Sequence, residues 1–159
     1  MIVGSGDIAS VLTDRPDFVY FAAGVSNSGE IRKSEFQREV ALLARQDRTK
    51  RLVYFSSLSI FYNDTRYTKH KLAMEALVKQ FSRRYCIVRL GNIDWGSNPH
   101  TLINYLKAHP EAEIRDEYRY VVGKDEFLHW INLIPNWNCE MNVPGRMMKV
   151  REIYEAYCR

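Results

Sequence analysis

Three residues of one stretch have the types and spacing needed for acid–base chemistry: Ser57, Tyr67 and Lys71. Tyr67 and Lys71 stand four positions apart, so on a helix they share one face a single turn apart. An ammonium group beside a phenol lowers the phenol's pKa, as proton transfer by a tyrosine near neutral pH requires. Ser57 ends a predicted strand, where its hydroxyl could hold a substrate oxygen. The alternative interpretation is a strand end followed by an amphipathic helix without chemistry.

A glycine turn near the start of the chain is the second chemical feature. Gly4, Gly6 and Ala9 follow an apolar run with the G-x-G-x-x-A spacing of dinucleotide-binding turns. The first glycine makes the turn, the second admits a pyrophosphate, and the third small residue lets a helix pack on the strand. Asp7 argues against a phosphate there, because a carboxylate would satisfy the same helix dipole. A strand-to-helix turn without a ligand is therefore the competing interpretation.

The elements that must position these residues follow from hydrophobic patterning. Continuous apolar runs predict four strands, at residues 1–3, 18–23, 51–56 and 85–90. Helical periodicity predicts helices at residues 34–46, 67–81 and 99–108, the last of them capped by Asn98. Alternating strands and helices indicate βαβ units around a mostly parallel sheet.

The pattern weakens after residue 110. A strand at 118–122, a helix around 125–134 and a helix near the last residues are predicted there. No repeat or long linker separates this part of the chain. We therefore expect one domain over residues 1–159, with a nucleotide-binding core at 1–96 and a small C-terminal lobe at 97–159.

Composition narrows the functional classes. With 159 residues, 46% of them hydrophobic, the chain can bury a core of its own. The formal charge of +4 is spread among nearly as many acids as bases, so we expect no nucleic-acid partner. The apolar runs are too short to span a bilayer, and the N-terminus lacks a targeting pattern, so no membrane partner is expected.

Cysteine and histidine usage adds two expectations. Three cysteines without a C-x-x-C pair suggest reduced thiols and a cytoplasmic location; they are Cys86, Cys139 and Cys158. The histidines have no metal-ligand spacing, so we expect no metal site and surface positions for all four: His70, His100, His109 and His129.

Five segments, in this order along residues 1–96, resemble those of one family: GSGDIA, FVYFAAGVS, LVYFSSLSIFY, YTKHKLAMEALV and VRLGNIDW. That family is the extended short-chain dehydrogenase/reductases, the NAD-dependent epimerase/dehydratase group, which acts mainly on nucleotide sugars. The resemblance implies an α/β fold with a three-layer, Rossmann-like parallel sheet and NAD or NADP as the cofactor.

The resemblance also implies roles for individual residues. Tyr67 would be the acid/base, Lys71 would bind the nicotinamide ribose and tune Tyr67, and Ser57 would bond the reacting oxygen. Ser56 and Ser59 are alternatives to Ser57. The cofactor would contact Gly4, Gly6 and Ile8 at its pyrophosphate, Ala22, Ala23 and Gly24 along the cleft, and Asn92 near the nicotinamide or the substrate.

The sequence departs from the family in two places. The segment between residues 9 and 18 is too short for the second and third strands, so we expect a sheet that lacks them. Asp14 and Asp17 cannot replace the missing ribose-binding acid, because a helix-to-strand loop lies at the edge of the sheet away from ligands. The loop between Ser57 and Tyr67 and the C-terminal part are also shorter than the family's.

The leading hypothesis is an NAD(P)-dependent oxidoreductase, epimerase or dehydratase acting on a hydroxyl-bearing, nucleotide-sugar-like substrate. Helices 34–46 and 67–81 have apolar positions beyond what one sheet face needs, such as Leu42 and Met74. The resemblance implies that such helices pair between subunits, so we expect a homodimer. Two alternatives stay open. One is a non-catalytic binding or regulatory protein that has lost the dinucleotide, and the other is an enzyme that uses the cleft for a smaller ligand.

Overall fold

The computed structural model describes residues 1–159, and the chain folds into alternating strands and helices. The strands are β1 (Ile2–Val3), β2 (Phe18–Phe21), β3 (Arg51–Ser57), β4 (Tyr85–Leu90), β5 (Asn92–Ile93), β6 (Tyr118–Val122), β7 (Cys139–Val143) and β8 (Arg146–Lys149). The helices are α1 (Lys33–Ala44), α2 (Arg66–Phe81), α3 (Leu102–Ala108), α4 (Lys124–Asn132) and α5 (Val150–Tyr157). None of these helices has the length and apolar character needed to cross a bilayer.

The main sheet has five parallel strands in the order β1-β2-β3-β4-β7. Its central strand β3 is buried along almost its whole length. The continuous apolar runs of β2, β3 and β4 are explained by this arrangement, because a parallel sheet is covered on both faces.

Helices cover the main sheet on both sides and so form three layers. On one side Leu43 of α1 and Met74 of α2 pack with Leu52 in a buried cluster. On the other side Phe127 of α4 packs with Val53 and other strand residues. The α/β, three-layer Rossmann-like fold predicted from the sequence is confirmed.

A second, small sheet follows the order β5-β6-β8. Helices α3 and α5 pack on it through a separate cluster that includes Ile103, Val121 and Ile153. This unit forms the small C-terminal lobe that the fold prediction included. Strand β7, in contrast, joins the edge of the main sheet, and its pairing with β4 is parallel.

The segment between β1 and β2 contains only one 3-10 turn, Ala9–Val11. The second and third strands of a doubly wound fold are therefore absent, as predicted, and β1 is the free edge of the main sheet.

Three details differ from the sequence-based predictions. Strands β5 and β8 of the small sheet were not predicted. The main sheet has a fifth strand, β7, whose Cys-Glu-Met-Asn-Val sequence alternates with polar residues and lacks a continuous apolar run. Helix α3 begins at Leu102 rather than residue 99, and its cap is Thr101, whose side chain accepts a hydrogen bond from the Asn104 N–H. Asn98 instead accepts from the His100 N–H, which forms a local turn before the helix.

Candidate functional site

A cleft of about 990 Å³ opens at the carboxyl ends of β1, β2 and β3, between the main sheet and the C-terminal lobe. In α/β proteins this edge of the sheet is where ligands bind. Every residue that the sequence predicted for the site lines this one cleft: Gly4, Gly6, Ile8, Ala22, Ala23, Gly24, Ser57, Tyr67, Lys71 and Asn92. The volume lies at the upper end of the range of small-molecule sites.

The glycine turn presents open backbone to the cleft. Gly4 has a φ of +119°, and a Cβ there would lie 2.5 Å from the Ala22 carbonyl oxygen, so only glycine fits. A Cβ on Gly6 would meet no atom within 4 Å. The N–H groups of residues 5–8 donate to no acceptor in the protein. The turn therefore has free donors and room for a ligand group beside Gly6.

Asp7 ties the glycine turn to the segment that follows β5. Its carboxylate accepts hydrogen bonds from the N–H groups of Ser97, at 3.0 Å, and Asn98, at 2.9 Å. Its backbone oxygen accepts from Trp95 Nε1 at 3.0 Å. The sequence had suggested that this carboxylate would satisfy a helix dipole, but the helix is a single 3-10 turn and the carboxylate bonds a different segment.

The three neighbouring serines have different surroundings. Ser57 ends β3, and its Oγ accepts from the Ser59 N–H at 3.1 Å and lies 2.7 Å from Ser59 Oγ, so it caps the 3-10 turn Leu58–Phe61. Ser56 Oγ is buried and has no hydrogen-bond partner within the protein. Alternation along β3 places Ser56 on the same face of the sheet as Tyr54. Of the three serines, only Ser56 has a hydroxyl that makes no hydrogen bond within the protein.

Tyr67 and Lys71 lie in the first two turns of α2, which Thr65 caps through its side chain. Both side chains are buried. Lys71 Nζ lies 5.7 Å from the centroid of the Tyr67 ring, which is within the range of a cation–π interaction. The predicted sharing of one helix face is therefore present, but the ammonium makes its hydrogen bonds elsewhere.

Glu39, which the sequence analysis did not single out, is the partner of Lys71. Lys71 Nζ donates to Glu39 Oε1 at 3.3 Å and to the Tyr54 hydroxyl at 3.1 Å. Tyr54 donates to Glu39 Oε1 at 2.6 Å, while His70 Nε2 and the Val25 N–H donate to Oε2 at 2.8 and 2.9 Å. The Glu39 side chain is fully buried, so these bonds replace its water.

The electrostatics of this group favour a charged carboxylate beside a charged lysine. Burial raises the pKa of Glu39, but the charge of Lys71 and the hydrogen bonds from His70 and Tyr54 outweigh it and bring this pKa to about 2. Burial, together with the neighbouring Glu39 charge, raises the pKa of Tyr54 well above its ordinary value. At neutral pH the group therefore holds an ionised Glu39 and a neutral Tyr54.

A signal for Glu39 was present in the sequence. Glu39 stands three residues after Phe36 and four before Leu43, on the apolar stripe of the predicted helix, where an acid needs a buried partner. His70 was predicted to lie on the surface, and this prediction is wrong. Its side chain is only 8% exposed, and its ring stacks on Phe36 with centroids 4.4 Å apart.

Gly24 and Asn92 complete the cleft. A Cβ on Gly24 would lie 2.7 Å from Lys71 Nζ and 2.8 Å from Glu39 Oε1, so glycine leaves space for the Lys71–Glu39 pair. Asn92 Nδ2 donates to the Tyr120 carbonyl at 2.9 Å, which fixes β5 against β6 at the border of the cleft. No group of three His, Cys, Asp or Glu side chains is arranged to hold a metal ion.

The two sides of the cleft differ in the secondary structure beside them. The nicotinamide, its ribose and one phosphate could lie between the glycine turn and the Tyr67–Lys71 pair. The adenosine half would extend past β1, where the main sheet ends. No strand or helix stands there to form the second wall of an adenine pocket.

The Rossmann-like fold of this chain is similar to that of solved structures that include epimerases and dehydratases. The enzyme WbmG of Bordetella bronchiseptica, solved with NAD and UDP, is similar with a TM-score of 0.66 and 17% identity over 89% of this chain. A dTDP-glucose 4,6-dehydratase of Bacillus anthracis, solved with NAD, gives 0.64 and 12% over 87%. A UDP-galactose 4-epimerase gives 0.61 and 16% over 87%.

These likenesses show a shared fold, and the resemblance seen in the sequence motifs is confirmed at that level. The chain spans 56% of WbmG, 56% of the dehydratase and 60% of the epimerase. No family model and no curated protein matches the sequence.

Proposed function

We propose that this protein is an NAD(P)-dependent oxidoreductase, epimerase or dehydratase that acts on a hydroxyl-bearing substrate of the nucleotide-sugar kind. One observation carries the proposal: the Ser, Tyr and Lys residues and the glycine turn line a single cleft at the carboxyl ends of the parallel strands. The structural neighbours solved with NAD, UDP or UDP-N-acetylmuramic acid support the same kind of ligand.

In this proposal each residue has one task. Tyr67 takes the proton of the substrate hydroxyl, or returns it in the reverse direction. Lys71 donates to a ribose hydroxyl of the cofactor. A serine hydroxyl, from Ser57 or Ser56, holds the reacting oxygen. The nicotinamide, when bound, accepts or returns a hydride.

The first experiment measures cofactor binding. Because a ligand that binds only the folded state stabilises it, NAD(H) and NADP(H) should raise the melting temperature in a saturable way. Gly6→Ala should weaken the shift, since its new Cβ points into open space where the ligand would approach. Gly123→Ala is the matched control, because a Cβ there makes only an ordinary contact with Asp94 at 3.4 Å. No shift with either cofactor at millimolar concentration would contradict the proposal.

The second experiment tests catalysis. Nucleotide sugars should be screened for a change in nicotinamide absorbance or for epimerised product. Tyr67→Phe should abolish turnover and leave cofactor binding nearly unchanged, because only the hydroxyl is removed. Equal activity in Tyr67→Phe would exclude the proposed acid/base role.

A second function, non-catalytic binding or regulation, is favoured by three hydrogen bonds. Lys71 already donates to Glu39 and Tyr54, and Ser57 already bonds Ser59. A protein that uses these side chains only for structure would look the same. This alternative protein has lost the dinucleotide, so binding of a sugar nucleotide without binding of NAD(H) or NADP(H), and without turnover of any tested substrate, would support this function.

We further propose a cytoplasmic homodimer with no nucleic-acid or membrane partner. Met74, which the sequence suggested for the interface, is instead fully buried against the main sheet. Helices α1 and α2 leave Val40 and Leu72 exposed, at 39% and 48%, on the surface where the resemblance implies an interface. Light scattering coupled to gel filtration should give twice the mass of the chain. Polar substitution of Leu72 should then shift the species to a monomer. The division into a core at 1–96 and a substrate-side lobe at 97–159 is part of the same proposal, with α4 and β7 of the second part packing on the main sheet.

A further inference from the structure

The cleft has two unlike ends. At one end, near the carboxyl ends of β3 and β4, the lining includes Tyr67, Lys71 and Asn92. The other end lies beside the free edge strand β1, with Val3 and Leu42 among its lining residues. A dinucleotide laid across the glycine turn would place one mononucleotide half at each end.

In a doubly wound sheet the adenosine half depends on the strands beyond the first one. The strand order 3-2-1-4-5-6 puts strands 2 and 3 on that side, and an acid at the end of strand 2 bonds the ribose hydroxyls. Here residues 4–17 hold no strand. Asp14 forms an ion pair with the amino group of Met1, and the Asp17 carbonyl accepts from the Arg51 N–H at 2.9 Å. Both acids therefore lie at the opposite ends of the strands from the cleft.

The phosphate-binding part is reduced as well. A full helix after the glycine turn would add the charge of its dipole, but the turn here leads into three residues of 3-10 helix. The Asp7 carboxylate stands beside the turn, bonded to Ser97 and Asn98. The free N–H groups of residues 5–8 can serve one phosphate group of a ligand.

We propose that the cleft binds a nicotinamide mononucleotide unit as its cofactor-sized ligand, and that the adenosine part of a dinucleotide adds little to the affinity. This inference rests on the proposed function, because it concerns the same cleft. Reduced nicotinamide mononucleotide should then bind with a Kd within threefold of that of NADH. AMP should fail to displace either compound at a hundredfold excess over their Kd values.

Calorimetric titration of the full chain with reduced nicotinamide mononucleotide, NADH and AMP separates the outcomes. Equal Kd values for the two nicotinamide compounds support the inference. An NADH affinity tenfold or more above that of the mononucleotide, or about 1.4 kcal/mol, would overturn the inference and leave the proposed function standing. Competition by AMP would overturn it in the same way. Binding of none of the three would overturn the proposed function itself.

Two variants test the inference through the change in Kd between variant and wild type, which does not depend on how tightly each compound binds. Gly6→Ala should raise the Kd of reduced nicotinamide mononucleotide and the Kd of NADH by the same factor, because both compounds would place a phosphate beside this residue. Leu42→Ala, at the β1 end of the cleft, should change the Kd of each by less than twofold. A loss of NADH affinity in Leu42→Ala, with the mononucleotide unchanged, would show that adenosine is held there and would refute the inference.

Discussion

Replacing Glu39 by glutamine should strongly destabilise the fold. The substitution keeps the size of the side chain but removes the charge that compensates Lys71, whose side chain is 3% exposed. It also brings an amide group next to Tyr54 and His70, which both donate to Glu39 in the native protein. Breaking a buried ion pair by removing one partner costs about 3–5 kcal/mol. For a chain of this size such a loss lowers the melting temperature by roughly 6–20 °C.

The pKa of Glu39 gives a second estimate of the same quantity. A folded-state pKa of about 2, against an ordinary 4.5, corresponds to about 3 kcal/mol of stability. Because this pKa is lowered on folding, the contribution is complete above about pH 4.5 and is lost as the pH falls toward 2. The difference in stability between wild type and Glu39→Gln should therefore shrink over that range.

Urea denaturation at pH 7 and at lower pH measures both effects. Glu35→Gln is the matched control on the same helix, because Glu35 pairs with Arg38 on the surface at 3.2 Å, and such pairs contribute at most about 1 kcal/mol. The double variant Glu39→Gln with Lys71→Met should lose less than the sum of the single losses, since no charge is then left uncompensated. A Glu39→Gln loss below about 1 kcal/mol, or strict additivity with Lys71→Met, would refute the reasoning.

Two further substitutions test other parts of the interior. Ser56→Ala removes a buried hydroxyl that has no partner, so the free energy of unfolding should stay the same or rise by up to about 1 kcal/mol in urea denaturation. A clear loss of stability would reveal a hydrogen bond that the reasoning excludes. Arg89→Met should cost about 3–5 kcal/mol, because it leaves the buried Glu75, which Arg89 bonds through two nitrogens at 2.9 and 2.7 Å, without its charge partner. Thermal denaturation with an unchanged melting temperature would contradict this expectation.

The parts of the fold that sequence reasoning predicted are those with local signals. Strands β2, β3 and β4 are buried on both faces and therefore appear as continuous apolar runs. Strand β7 was missed because it lies at the sheet edge, where Glu140 and Asn142 interrupt the apolar pattern. The start of α3 was misplaced because both Asn98 and Thr101 are cap residues, and only the chain geometry selects Thr101.

The same distinction applies to the candidate site. The four-residue spacing of Tyr67 and Lys71 on α2 is local, and the sequence predicted their common face. The contact between Lys71 and Glu39 joins α2 to α1 across 32 positions of the chain, and no local rule specifies such a pairing. The sequence showed an acid, Glu39, on an apolar helix face. An acid in that position needs a buried partner, but the sequence does not identify which residue the partner is.

The Lys71–Glu39 pair also limits how the cleft can bind and act. A lysine ammonium has three hydrogens, and in this structure two of them go to Glu39 and Tyr54. One hydrogen remains, so Lys71 can hold a ribose through a single hydroxyl without giving up its partners. The opposite charge of Glu39, at hydrogen-bond distance, weakens the field that Lys71 exerts on Tyr67. In the proposed enzyme, a bound ligand would therefore have to supply further charge or hydrogen bonds around Tyr67. Without a ligand, the main role of Lys71 is to hold Glu39 and Tyr54 in place.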